Sequence, residues 1–261
     1  MRARHLIPLA AALVLCTALP ARAELSQKGS LIVGFDGALS PTALPRTTPA
    51  PVSVRVAGDI KNAAGKPDRL PQLRRISVAI NRAGRLFDKG IPTCELASIQ
   101  PATEREARER CRGAIVGNGH VALQVRLPAQ EPFLVRANLI AFNGRNESGR
   151  KLILAQVYAE DPPGAFVLTF EVQRRGGLFG TVLSTTLPQS AHEWAYLTHF
   201  DMTLHRVYRY RGERRSYISA ACAAPAGFPG ALFPFAKATY GFDNGQTLTT
   251  TVIRSCRVRG K

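Results

Sequence analysis

Residues 51–57 read Pro-Val-Ser-Val-Arg-Val-Ala, with Val52, Val54 and Val56 alternating with Ser53, Arg55 and Ala57. A period of two puts the valines on one face and the small or charged residues on the other, as in a half-buried strand. The pattern recurs along the chain. Gly65-Lys66-Pro67 and Asp68 make a turn, and Ile76, Val78 and Ile80 begin a second alternating run. Further strand candidates lie at 114–117, 120–127, 133–142, 151–159, 165–173, 178–187, 195–210, 215–222, 235–242 and 246–256. Turn chemistry separates them: Asn143-Gly144, Asp161-Pro162-Pro163-Gly164, Gly176-Gly177, Gly212-Glu213 and Asp243-Asn244-Gly245. Many strands with short Gly/Pro turns predict an all-β fold, mainly an antiparallel β-sandwich of jelly-roll-like or Ig-like kind. Residues 51–261 are read as one such domain.

Upstream, Leu31 to Phe35 reads as a short apolar strand. Residues 36–51 then carry Pro41, Pro45, Pro49 and Pro51. Prolines at that density remove amide donors and fix φ, so 24–50 is expected to be a strand followed by an extended linker or edge-lining arm. One segment departs from the β pattern, Pro101 to Arg112. Thr103 and Glu106 have capping-box spacing, and Glu104/Arg108 and Glu106/Arg110 are i,i+4 pairs in the favourable order. A short helix is expected there, crossing between sheets or lidding one end of the sandwich.

The first twenty-three residues read differently. Arg2 and Arg4 precede an apolar stretch, Leu6 to Leu19, and Ala21-Arg22-Ala23 supplies the small residues of a cleavage site. This is the pattern of a secretory signal peptide cut near Ala23. Lipidation at Cys16 fits less well, because Leu15 before it is not small. No later stretch has the ~18 unbroken apolar residues of a membrane-spanning helix. The expected location is extracytoplasmic: secreted, at the cell surface or in the periplasm.

Export sets the reading of the cysteines. Cys94, Cys111, Cys222 and Cys256 follow the signal, and four cysteines permit three pairings. Proximity favours Cys94–Cys111 and Cys222–Cys256, whose loops would contribute about 3 and about 4 kcal/mol in the chain-entropy model. Neither pair has zinc-knuckle spacing or an adjacent histidine, so no metal and no cofactor is expected.

The formal charge is +17, and residues 1–23 hold three arginines and no acid, leaving +14 without them. Such a field favours anionic partners. Its arginines are scattered, which also fits a solvated surface. The densest basic–aromatic interleaving is Trp194, Tyr196, Tyr208, Arg209, Tyr210, Arg211, Arg214, Arg215 and Tyr217. Aromatic faces can stack on sugars and guanidinium groups can grip carboxylate or phosphate, so these are the candidate ligand-binding residues. Alternatively the tyrosines pack across strands. His199 and Asp201, two apart on one strand face, form a possible polar site. His205 lies about 20 Å from His199 on a straight strand and cannot join it.

Catalytic signatures are lacking: there is no G-x-S-x-G elbow, no H-E-x-x-H helix and no phosphate-cradling glycine loop. Gly117-Asn118-Gly119-His120, between β segments, reads as a hairpin or bulge. The segment Ile91-Pro92-Thr93-Cys94, with Ile99-Gln100, Ala107-Arg108, Cys111, Ala114 and Val116-Gly117-Asn118-Gly119, resembles a group of exported actinobacterial proteins without an assigned activity. The tail, with Phe233-Pro234-Phe235, Tyr240-Gly241-Phe242 and Ser255-Cys256, is similar to the closing part of that group. The resemblance spans roughly residues 50–258 and implies an exported β domain, with no activity attached. The resulting expectation is a non-enzymatic envelope or extracellular protein that binds an anionic polymer or glycan, or serves structurally. No nucleic acid is expected as a partner. The alternative is an extracytoplasmic polysaccharide hydrolase with a site assembled from distant strands.

Overall fold

The alternating runs become strands of one large sheet. A computed structural model describes residues 23–65, 70–187 and 195–260. In chain order the strands are β1 (Glu24–Lys28), β2 (Leu31–Ser40), β3 (Ala43–Leu44), β4 (Ala50–Pro51), β5 (Ser53–Asn62) and β6 (Leu73–Asn81). Then come β7 (Gly84–Leu86), β8 (Ile115–Val125), β9 (Phe133–Arg145), β10 (Lys151–Glu160), β11 (Pro163–Arg174) and β12 (Phe179–Thr186). The last are β13 (Ala195–Leu204), β14 (Val207–Tyr210), β15 (Glu213–Ser216), β16 (Ile218–Ala220), β17 (Gly230–Phe242) and β18 (Thr247–Val258). Helices α1 (Leu96–Ile99) and α2 (Glu104–Arg110) lie between β7 and β8.

Thirteen strands form the main sheet, in the order β1-β2-β5-β13-β8-β9-β10-β11-β12-β6-β17-β18-β3. Its neighbours pair antiparallel except β18 and β3, which share two parallel residue pairs. So many twisted strands do not stay flat. The sheet curls until β18 lies beside β1 and β2, and the two facing layers of the expected sandwich are opposite walls of one rolled sheet.

Side chains close the roll where ladder bonds do not. The Arg254 Nε donates to the Gly37 carbonyl at 2.5 Å, on the stretch of β2 that β1 leaves unpaired, and its guanidinium ion-pairs with Asp36. The Tyr240 hydroxyl donates across the interior to the Gly34 carbonyl at 3.1 Å. Phe235 packs on Gly37, where a Cβ would fall 2.6 Å from its ring, so glycine is needed there.

One end of the roll is capped. A small sheet, β4-β16-β7, closes it, with the Val52 amide bonded to the Ile218 carbonyl and Tyr217 and Ile218 buried. The Cys222–Cys256 disulfide, Cα atoms 5.6 Å apart, ties this cap to β18. The proline-rich arm therefore lines edges: β3 pairs with β18 and β4 with β16.

The helical segment neither crosses between sheets nor lids an end. It lies on the outer surface of β9–β11, because those strands carry apolar residues on both faces. Ile140, Phe142, Leu152, Leu154 and Val167 point outward and form a second core with Ile99, Ala107 and the Cys94–Cys111 disulfide. The Gln156 amide donates to the Ala102 carbonyl at 2.8 Å. Both halves of the Thr103/Glu106 capping box are present.

Other differences have local causes. Asn143-Gly144, expected as a turn, ends β9; Asn143 is buried and its side-chain amide donates to the Pro92 carbonyl at 3.1 Å. Gly117 and Gly119 sit within β8 rather than in a hairpin, beside a bulge between Ile115 and Gly117, and a Cβ at Gly119 would fall 1.9 Å from the Asp201 carbonyl oxygen. The run at 195–210 breaks after Leu204, and β14 turns away to pair with β15.

Candidate functional site

The structure separates the residues of the expected basic–aromatic surface. Trp194 lies outside the described residues. Tyr196 is near the start of β13, whereas β14 follows its far end, and the Tyr196 ring is covered by the Arg126 guanidinium at 3.9 Å. Tyr217 is buried, and burial, then the charge of Asp88, pushes its phenol well above the usual range. On the β14–β15 hairpin, the Tyr208 hydroxyl donates to the carbonyls of Phe87 and Lys89 at 3.2 and 2.9 Å. Burial, then Asp88, raises that phenol to about 12. Tyr210 sits edge-on to Phe87, centroids 6.0 Å apart, and against Gly90. These tyrosines pin the hairpin to the loop after β7. Arg209, Arg211, Arg214 and Arg215 remain on the surface, Arg215 pairing with Glu213.

His199 and Asp201 share the outer face of β13 but take different partners. His199 Nδ1 is 3.1 Å from Asp59, whereas Asp201, which is buried, pairs with Arg55. Arg55 also reaches Asp36 at 3.4 Å, so the two carboxylates are bridged by one guanidinium. A β-bulge between Leu197 and His199 sets this face. It adds Thr198, whose hydroxyl donates to the Ala122 carbonyl at 3.0 Å, beside His199. Bulges re-aim side chains in this way. Thr198, His199, Asp59, Lys61, Gln124 and Arg136 line an open outer groove of about 550 Å³. Among the described residues no cluster of three His, Cys, Asp or Glu side chains could hold a metal ion.

The inner face is of another kind. β5, β6 and β8–β13 surround a void of about 80 Å³ that, among the described residues, is lined by nineteen side chains, all Val, Ile, Leu, Phe, Met or Ala. Towards the capped end the lining is buried, as at Val54, Ile80, Met202 and Leu204. At the other end Leu123, Phe166, Leu168, Leu187, Ala195 and Leu197 are only half-buried. Among the described residues the void is thus an apolar chamber, closed towards the cap and less covered at the end where Leu187 and Ala195 flank residues 188–194, which lie outside the described residues. A water needs roughly 10–15 Å³ of such space and two to four polar partners. Among the described residues every lining side chain of this chamber is apolar, which disfavours water there.

The bulge also serves the chamber. Leu197 and Phe200 both point inward although three residues apart, because Thr198 breaks the alternation between them. Sequence reasoning missed the chamber because its lining residues have the same type and spacing as ordinary core residues. Among the described residues no helix is long and apolar enough to cross a membrane. Searches of protein-family models, curated proteins and solved structures return no match to this chain.

Proposed function

We propose that this is an exported, non-enzymatic binding protein whose rolled sheet takes only the tip of an apolar molecule, the last few carbons of an acyl- or prenyl-type chain entering end-on, since about 80 Å³ has no room for more. The apolar side chains that line the chamber among the described residues, less covered at one end than at the other, carry the reading. Leaving such a void empty is unfavourable. At about 24 cal/mol per Å³, a hollow of 80 Å³ costs about 2 kcal/mol in lost contacts, which a ligand can restore. Polar groups have no place in the chamber, so selectivity would rest on width and length rather than on hydrogen bonds.

A polysaccharide hydrolase has less support. Asp36, Asp59 and Asp201 are each paired with a basic side chain, and the tyrosines expected to stack on sugars are used in packing. Export rests on the N-terminal pattern and agrees with the two disulfides.

The test uses the chain from Glu24, which carries both disulfides and every strand described. Titration with the neutral dye N-phenyl-1-naphthylamine should give saturable, blue-shifted fluorescence that palmitate or geranylgeraniol displaces. Leu168→Trp, which fills the chamber from a half-buried position, should weaken dye binding while leaving the melting temperature close to the parent's. Absence of saturable binding, or binding indifferent to Leu168→Trp, refutes the proposal.

A further inference from the structure

At the capped end, outside the chamber, the surface carries large apolar side chains that packing does not require. Phe228, Leu232 and Ile253 are 61%, 77% and 52% exposed. In the β17–β18 register Leu232 lies opposite Ser255 and Ile253 opposite Pro234, which makes Leu232 and Ile253 diagonal neighbours on one outer face. Phe228 is held beside the start of β17. The Arg46 guanidinium donates to the carbonyls of Ala224, Pro225 and Phe228, and the Val258 amide bonds to the Pro229 carbonyl at 2.7 Å. A pinned loop presenting an exposed phenylalanine has restricted its own freedom without burying the ring.

Charge identifies what would cover this corner. From Tyr217 to the C-terminus the only acid is Asp243, and it sits at the opposite end of β17, bonded to Gln72. Arg257 shares the outer face with Leu232 and Ile253, and Arg259 follows it; both are exposed. Apolar side chains flanked by two exposed arginines, Arg259 also donating to the Ala43 carbonyl at 3.1 Å, and without a carboxylate on the same strands, match the interface of an anionic bilayer. There the apolar groups enter the acyl boundary and the basic groups meet lipid phosphates. A protein partner would need complementary carboxylates and an apolar patch of its own.

We propose that the corner formed by Phe228, Leu232, Ile253, Arg257 and Arg259 docks the protein on anionic phospholipid surfaces. Docked there, the capped end faces the membrane and the chamber's less covered end faces the aqueous space. The proposal does not depend on what the chamber holds.

Cosedimentation of the chain from Glu24 with phosphatidylglycerol/phosphatidylethanolamine vesicles, against pure phosphatidylcholine vesicles, tests it. Binding to the anionic vesicles should be strong at low salt and partly retained at roughly 0.3 M. Replacing Phe228, Leu232 and Ile253 together by Ser should lower vesicle affinity at least tenfold. Arg257→Ser with Arg259→Ser should remove the preference for anionic lipid. Leu25→Ser, at an exposed leucine on β1, should change nothing. All these positions are exposed, so melting temperatures should stay near the parent's. Three results overturn the proposal: no vesicle binding, binding that the triple replacement leaves intact, or a triple replacement that instead dissolves a self-associated species seen by sedimentation velocity.

Discussion

Arg254 bridges the closure from β18 to β2 through two acceptors at once. It stands at an inward position of β18, only 14% exposed, and serves the Gly37 carbonyl and the Asp36 carboxylate together. Removing it strands the Gly37 carbonyl and leaves Asp36 with the Gly37 amide and the 3.4 Å contact to Arg55, at a seam without ladder bonds. Arg254→Ala is therefore expected to lose roughly 2–3 kcal/mol, read from the urea midpoint, because a largely buried charged hydrogen bond and its partner's desolvation are both at stake. Arg254→Lys should recover only part, since one ammonium cannot match the two-sided guanidinium geometry. A loss under about 0.5 kcal/mol, the range of an ordinary surface change, would mean the seam is held elsewhere. Gly58 offers a second residue-scale test. A Cβ there would fall 2.3 Å from the Phe200 ring and 2.7 Å from the Tyr240 hydroxyl. Gly58→Ala should cost about 1–3 kcal/mol by overpacking. It should also press Phe200 into the chamber and weaken naphthylamine binding, which a change in packing remote from the chamber would not do.

Among elements, α2 tests how a seven-residue helix persists. Helices that short are not stable alone. This one is held by its capping box, by the outer core and by a disulfide to Cys94. Thr103→Ala should cost about 1 kcal/mol, and that cost should shrink in acid. The Thr103 amide and hydroxyl hold the Glu106 carboxyl below its ordinary value of 4.5. A depressed carboxyl stabilises above its unfolded value and ceases to do so as pH falls through the folded one. Urea unfolding of parent and variant at pH 7 and pH 3 measures the difference. Replacing Cys94 and Cys111 by Ser should cost about 3 kcal/mol and raise amide exchange across residues 96–112, leaving the β5–β13 ladder protected. Capping residues and strand phase were legible in the sequence because both are local. The helix's resting place was not, since β9 and β10 are apolar on both faces and sequence cannot say which face turns inward. The same limit hid Asn143, whose buried amide looks like a turn former until Pro92 is beside it.

At the scale of the molecule, what the sequence could not show is that the sheet returns on itself. Curl is the accumulated twist of thirteen strands, and the contacts that complete it join residues far apart in the chain, Gly34 to Tyr240 and Gly37 to Arg254. The hollow inside was hidden for a related reason, since a lining valine and a packed one occupy the same alternating position. The tyrosines look like a ligand platform in one dimension for want of the loop after β7, which absorbs Tyr208 and Tyr210. Closure and cap together give the fold an alkaline weakness. Burial raises the phenols of Tyr217 in the cap and Tyr240 at the closure above 10.0, and that of Tyr208 to about 12. Between pH 10 and pH 12 the unfolded chain sheds these protons while the fold retains them, so the native state binds more protons and stability declines as pH rises. The slope approaches about 1.4 kcal/mol per pH unit for each phenol that stays protonated. Below pH 10 the contribution is intact. Urea midpoints should thus fall steadily from pH 10 upward, with phenolate absorbance at 295 nm appearing together with unfolding. Tyr240→Phe should lose about 1 kcal/mol at neutral pH with the Gly34 hydrogen bond, yet lie closer to the parent, or above it, by pH 12. If both Tyr217→Phe and Tyr240→Phe keep the parent's alkaline slope, the weakness comes from other groups and these phenols are not what limits the closed sheet.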